Sequence, residues 1–150
     1  MIRDVAAFRQ RFMLGCPRAP QLLSPEALLL RLKLMHEEVQ EFMDANDAGD
    51  LPEAADALID LVYIALGTAL EMGLPWDELW KDVHRANMEK VRCESAEDSK
   101  RGSKYDLKKP PGWHPPNSKR IVQRAINLAI QMEAAQQDQQ LTLEETCGKQ

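Results

Sequence analysis

The chain has 150 residues, enough for one compact domain with its own core, and its 44% hydrophobic, 29% charged and 5% aromatic content is that of an ordinary globular protein rich in helix formers. A net charge of −5 argues against a nucleic-acid scaffold, whose affinity rests on neutralising phosphates. Cys16, Cys93 and Cys147 are too widely separated for a zinc site or a disulfide framework, which fits a reducing compartment. The amino-terminal MIRDVAAFRQRF lacks the apolar core of a signal peptide. The longest apolar stretch, residues 57–70, is interrupted by Asp60 and too short for a bilayer, so a soluble cytoplasmic protein without membrane contact is expected.

Val5, Phe8 and Phe12 recur at helical spacing and predict a first helix, broken by Gly15-Cys16-Pro17. The connector ends at Ser24-Pro25-Glu26, where serine suits an N-cap and proline the first helical position. A second helix follows to about Asn46, its stripe of Leu28, Leu32, Met35, Val39 and Phe42 spaced for bundle packing. Gly49 then fits a C-cap and Asp50 the next N-cap, a connection short enough to make the second and third helices antiparallel neighbours. The third helix ends at Met72-Gly73, and residues 54–70 are so apolar that burial on most sides is expected.

Pro75 opens a fourth helix with the stripe Trp76, Leu79, Trp80 and Val83; the two tryptophans read first as core or dimer packing. One further step of that stripe lands on Asn87, with Lys90 a turn beyond. Asn87 bonded to another helix and Lys90 snorkelling to water is one reading of them; a phosphate-bearing ligand is the other. Residues 93–117 lose periodicity and hold Lys100, Arg101, Lys104, Lys108 and Lys109, a solvated basic loop long enough to serve as a substrate loop. A fifth helix is predicted from near Ser118 through Met132. The Gln-rich residues 137–150 are expected to form a disordered tail, leaving one domain over residues 1–136.

Two acidic clusters stand out: Glu37, Glu38 and Glu41, then Glu53, Asp56 and Asp60. At about 100° per residue the second set falls within roughly 60° on one face. An ionised carboxylate buried without compensation costs several kcal/mol. The first set alone reads as a solvated helix face, but the third helix has no polar face other than its acids. The antiparallel order brings Glu38 and Glu41 opposite Asp56 and Asp60. An all-oxygen cage of this kind suits Mg²⁺, with more than one ion expected from its charge. Two such ions can hold the attacking water and the leaving oxygen of an in-line displacement, which makes phosphoanhydride hydrolysis the reaction class. Glu-x-x-His pairs, a GxxxxGK[ST] run and an EF-hand loop are all absent, which excludes the corresponding di-iron, Walker and calcium readings.

Over about residues 4–117 these motifs resemble the all-α nucleoside triphosphate pyrophosphohydrolases, which include MazG proteins, dimeric dUTPases, dCTP pyrophosphatases and phosphoribosyl-ATP pyrophosphohydrolases. EEVQE is similar to the family's EExxE, ALIDLVYIALGTALEMG to its second acidic helix, and VHRANMEK to the helix behind it. KYDLKKPPGWHPP resembles a lysine- and proline-rich loop of a Deinococcus-type MazG-like branch. The family's second motif, ExxD, fits in two registers: Glu53-x-x-Asp56 literally, or a register centred on Asp60 with the better distance to Asn87.

The resemblance implies an antiparallel four-to-five-helix bundle completed by oligomerisation, as a homodimer or homotetramer. It also implies hydrolysis of a (deoxy)nucleoside triphosphate to monophosphate and pyrophosphate with Mg²⁺ or Mn²⁺. Glu38, Glu41, Glu53, Asp56 and Asp60 are then the expected metal ligands, and Glu37 or Glu38 the group that orients or deprotonates water. Asn87, Lys90 and Lys104 are the expected substrate contacts, with the first helix and the tryptophans available to sugar or base. Phosphoribosyl-ATP hydrolysis, or a non-catalytic metal-binding helical module, are the competing expectations.

Overall fold

The computed structural model describes residues 1–147, with side chains of its last helix described through residue 140. The fold is all-α: helices α1 (Ile2–Arg11), α2 (Pro25–Ala48), α3 (Leu51–Glu71), α4 (Trp76–Met88) and α5 (Ser118–Cys147), with one short antiparallel pair, β1 (Val91–Arg92) and β2 (Leu107–Lys108). Among the described residues no helix is long and apolar enough to cross a membrane.

Local chemistry sets the helix ends. The Ser24 hydroxyl accepts from the Ala27 N–H at 3.2 Å, and Pro25 fills the first turn. Asp50 caps α3 by accepting from the Glu53 N–H at 3.1 Å. Between them Gly49, at φ 71°, turns its N–H back to the Ala45 and Asn46 carbonyls and reverses the chain. The result is an antiparallel α2–α3 hairpin.

Two compact units emerge. The first comprises α1, α2, α3 and the part of α5 from Ala125 onward. Its seam is lined by the small residues Ala45, Ala54, Ala57 and Ala69, with Leu66 also buried, so the helix backbones approach closely. Across α3 lies α1, with Val5 buried against Gly67 and the Phe8 ring edge-on to Tyr63 at 5.6 Å. The expectation that α3 is buried on most sides is not met within the chain: Ile59 is 66% exposed, and Leu58 and Val62 are exposed beside it. Among the described residues α1 and α2 are the elements that pack substantially on α3, and two neighbours cannot cover a helix that is apolar nearly all round.

The second unit, Pro75–Arg124, is α4 with the loop that follows it. That loop is more ordered than its composition foretells. The Trp113 indole N–H donates to the Ala86 carbonyl at 2.7 Å, and the Asn117 N–H donates to Asp82, which also pairs with Arg85 at 3.0 Å. The strands pair Val91 with Lys108 and Arg92 with Leu107. Beyond residue 136, where an irregular tail is expected, α5 continues through Cys147. Its run of Gln, Ala, Glu and Leu is rich in good helix formers, which explains the continuation; residues 148–150 of the expected tail lie outside the described residues.

The bend between α3 and α4 turns on Gly73, at φ 63°, where an added Cβ would stand 2.8 Å from the Pro17 carbonyl oxygen and 2.9 Å from that of Ala19. Backbone oxygens cannot move aside as a side chain can, and the Gln21 N–H holds the same crossing by donating to the Met72 carbonyl at 2.9 Å. Gly73→Ala therefore destabilises the chain by at least about 1–3 kcal/mol, read as a lower urea midpoint at unchanged slope.

Candidate active site

Midway along the α2–α3 hairpin the two acidic clusters come together at Glu38. This side chain is only partly exposed. Its burial, and next the carboxylates of Glu41, of Asp60 across the seam and of Glu37, hold its carboxyl above the usual carboxylate range. The i,i+3 step from Glu38 to Glu41 follows from helix geometry, and the approach of Asp60 follows from the short turn that makes the helices antiparallel.

Glu37, Glu41, Glu53, Asp56 and Asp60 are all exposed. Among the described residues none of the six carboxylates forms an ion pair with a Lys, Arg or His. Nor do any three acids, histidines or cysteines among the described residues stand in a metal-holding arrangement. Across the seam, Asp60 is the acid whose charge acts on Glu38. In chemistry the donor set suits a hard divalent cation: oxygen ligands alone, a surplus of negative charge and no protein cation to offset it.

Asn87, Lys90 and Lys104 belong to the second unit. Asn87 is exposed and Lys90 partly exposed, and neither side chain has a partner among the described residues. Asn87 therefore does not continue a buried stripe; the buried residue of α4 is its neighbour Ala86. Exposed Lys104 has its ammonium 5.3 Å from the Tyr105 ring centroid. The other loop cations are largely spoken for. Lys108 pairs with Asp98, and Arg101 with Asp106 at 2.8 Å, while Lys109 lies 4.2 Å over the Trp113 ring. Lys108 first, with the Glu94 N–H, holds the Asp98 carboxyl below its ordinary range; the Ser99 hydroxyl and the Leu107 N–H do the same for Asp106.

Sequence patterns overlooked a second charged assembly in the first unit. Glu71, at the end of α3, accepts from Arg31 of α2 through Nε at 2.7 Å and again through Nη2, and from Arg9 of α1 through Nη1 at 3.4 Å. Arg9 is 3% exposed. Its sign in the sequence is a charge next to Phe8 and one turn beyond Val5, on the apolar side of a short amphipathic helix.

Among curated proteins none matches the chain. The family model described as phosphoribosyl-ATP pyrophosphohydrolase matches residues 5–87, more than half of the chain, a span that includes both acidic clusters and ends at Asn87. The chain therefore belongs to the phosphoribosyl-ATP pyrophosphohydrolase family, within the MazG-like all-α pyrophosphohydrolase superfamily.

Proposed function

We propose that this pyrophosphohydrolase is a metal-dependent nucleoside triphosphate pyrophosphohydrolase, splitting a (deoxy)nucleoside triphosphate and water into the monophosphate and pyrophosphate. The observation that carries the reading is Glu38, set against Glu41 on its own helix and Asp60 on the next, with no ion pair to a protein cation among the described residues. Glu38, Glu41, Asp56 and Asp60 would hold Mg²⁺ or Mn²⁺, with Glu53 outside them. Such ions supply Lewis acidity to the phosphoanhydride. A carboxyl kept above the ordinary range accepts a proton from water more readily than an unperturbed one, which favours Glu38 over Glu37 as the general base. Lys90 and Lys104 are proposed to bind phosphate oxygens, and Asn87 to hydrogen-bond the nucleotide.

Phosphoribosyl-ATP as substrate is the second reading, favoured by the description of the matching family. The basic loop lies beyond the matched residues, which favours the nucleoside triphosphate. Exposed Leu28, Leu32 and Val39 on α2, with Leu58, Ile59 and Val62 on α3, support a homodimer or homotetramer that covers them. Free Cys16 and Cys93 agree with a reducing cytosol.

Incubating the protein and Mg²⁺ with canonical and deoxy nucleoside triphosphates, and separately with phosphoribosyl-ATP, yields pyrophosphate plus the nucleoside monophosphate from at least one triphosphate. Turnover of phosphoribosyl-ATP alone selects the second reading; tight Mn²⁺ binding with no turnover leaves a non-catalytic module. Glu41→Gln lowers turnover by more than about 100-fold, beyond the usual loss for an outer partner of a metal ligand, with the circular dichroism unchanged. Asp60→Asn costs more Mn²⁺ affinity by calorimetry than Glu53→Gln, and the reverse order selects the Glu53-x-x-Asp56 register. Ile59→Glu lowers the mass measured by sedimentation equilibrium, because a charge on the apolar face of α3 opposes a second copy.

A further inference from the structure

The hairpin of α2 and α3 is fixed at one end by the turn at Gly49 and Asp50. Along α2, Glu38 lies about 16 Å from that turn and Arg31 about 27 Å, at 1.5 Å per residue. Along α3, Asp60 lies about 15 Å and Glu71 about 31 Å from it. The acids therefore face one another near mid-length, and the Arg31–Glu71 pair bridges the open end. Carboxylates that repel at mid-length push apart two helices hinged at a short turn.

We propose that Glu71, with Arg31 and Arg9, is a positioning group: it holds the open end of the hairpin shut against the repulsion of the acids, and so keeps Glu38 facing Asp60. The inference rests on the metal-site reading above. Three features carry it. Arg31 grips one carboxylate oxygen, Oε2, through both Nε and Nη2, a contact that fixes orientation as well as separation. Arg9 reaches the same oxygen from α1 and donates through Nη2 to the Gly15 carbonyl at 2.6 Å, so three helices meet at one carboxylate and Arg9 also holds the start of the connector after α1. The arrangement is costly as a device for stability alone, since two guanidiniums share one carboxylate and the buried Arg9 Nε has no hydrogen-bond partner among the described residues. Fixing geometry is a recognised use of such buried polar groups.

Two variants test this, Glu71→Gln and Arg31→Lys, each compared with wild type for Mn²⁺ affinity by calorimetry well below its melting temperature, and for kcat and KM at saturating Mn²⁺. The expected result is Mn²⁺ affinity weaker by about 10-fold or more in Glu71→Gln, and a smaller loss in Arg31→Lys, which keeps the charge but not the fork. A preorganised site also predicts that saturating Mn²⁺ restores part of the lost kcat while KM for the nucleotide changes little. Folded variants that bind Mn²⁺ as wild type does and turn over at the same rate overturn the positioning role. Should Glu71→Gln fail to fold, Arg31→Lys decides by the same two measurements. Wild-type protein that takes up no Mn²⁺ overturns the metal site itself, and the positioning role with it.

Discussion

Like charge held against like charge across a helix seam is the constraint around which the first unit is organised. Glu38 is pressed toward Glu41 and Asp60 by two covalent facts, the i,i+3 step within α2 and the tight reversal at Gly49. Neither fact is favourable for the isolated chain. Holding carboxylates near one another without a cation raises the energy of the charged state of the partly buried one, Glu38. The cost becomes intelligible if something positive and external completes the cluster. An anionic set of oxygen ligands suits a hard divalent ion better than a protein ammonium, whose single charge would not match the surplus.

The same constraint explains the small residues beside the acids. Ala54 and Ala57 are buried on the seam side of α3, while Asp56 and Asp60 lie out of it. Alanine lets the helices approach closely enough for acids on the flanks to influence one another. Larger residues at those positions would widen the seam and dilute the interaction, because electrostatic energy falls with separation. Packing and site chemistry are therefore set by one pattern of residues.

Much of this was legible in the chain, for identifiable reasons. Ser24, Pro25, Gly49 and Asp50 are residues whose local hydrogen bonding or backbone freedom dictates where helices begin and end, and the observed caps stand at those positions. Antiparallel pairing of α2 and α3 followed from the length of one turn. The exposure of Ile59 was not legible, because apolarity predicts a need for burial without saying which chain supplies it. The tie between Arg9, Arg31 and Glu71 was missed because its members are far apart in sequence and periodicity detects faces rather than partners. The loop after α4 read as solvated and basic because its cations were counted and its acids were not. Asp98 and Asp106 bind Lys108 and Arg101 and give a short hairpin instead of a free basic run.

That self-neutralisation narrows what the second unit has to offer an anion. Once Lys108 and Arg101 are committed to internal pairs and Lys109 to an aromatic face, the cations still available for a phosphate include Lys90 and exposed Lys104, with the unpartnered amide of Asn87 on α4. A few mobile ammonium groups and one amide discriminate poorly between phosphate chains but well between the presence and absence of one. Selection of the organic part of the substrate must then reside elsewhere. The family match covers both acidic clusters and stops at Asn87, so the loop cations lie outside what the family description spans.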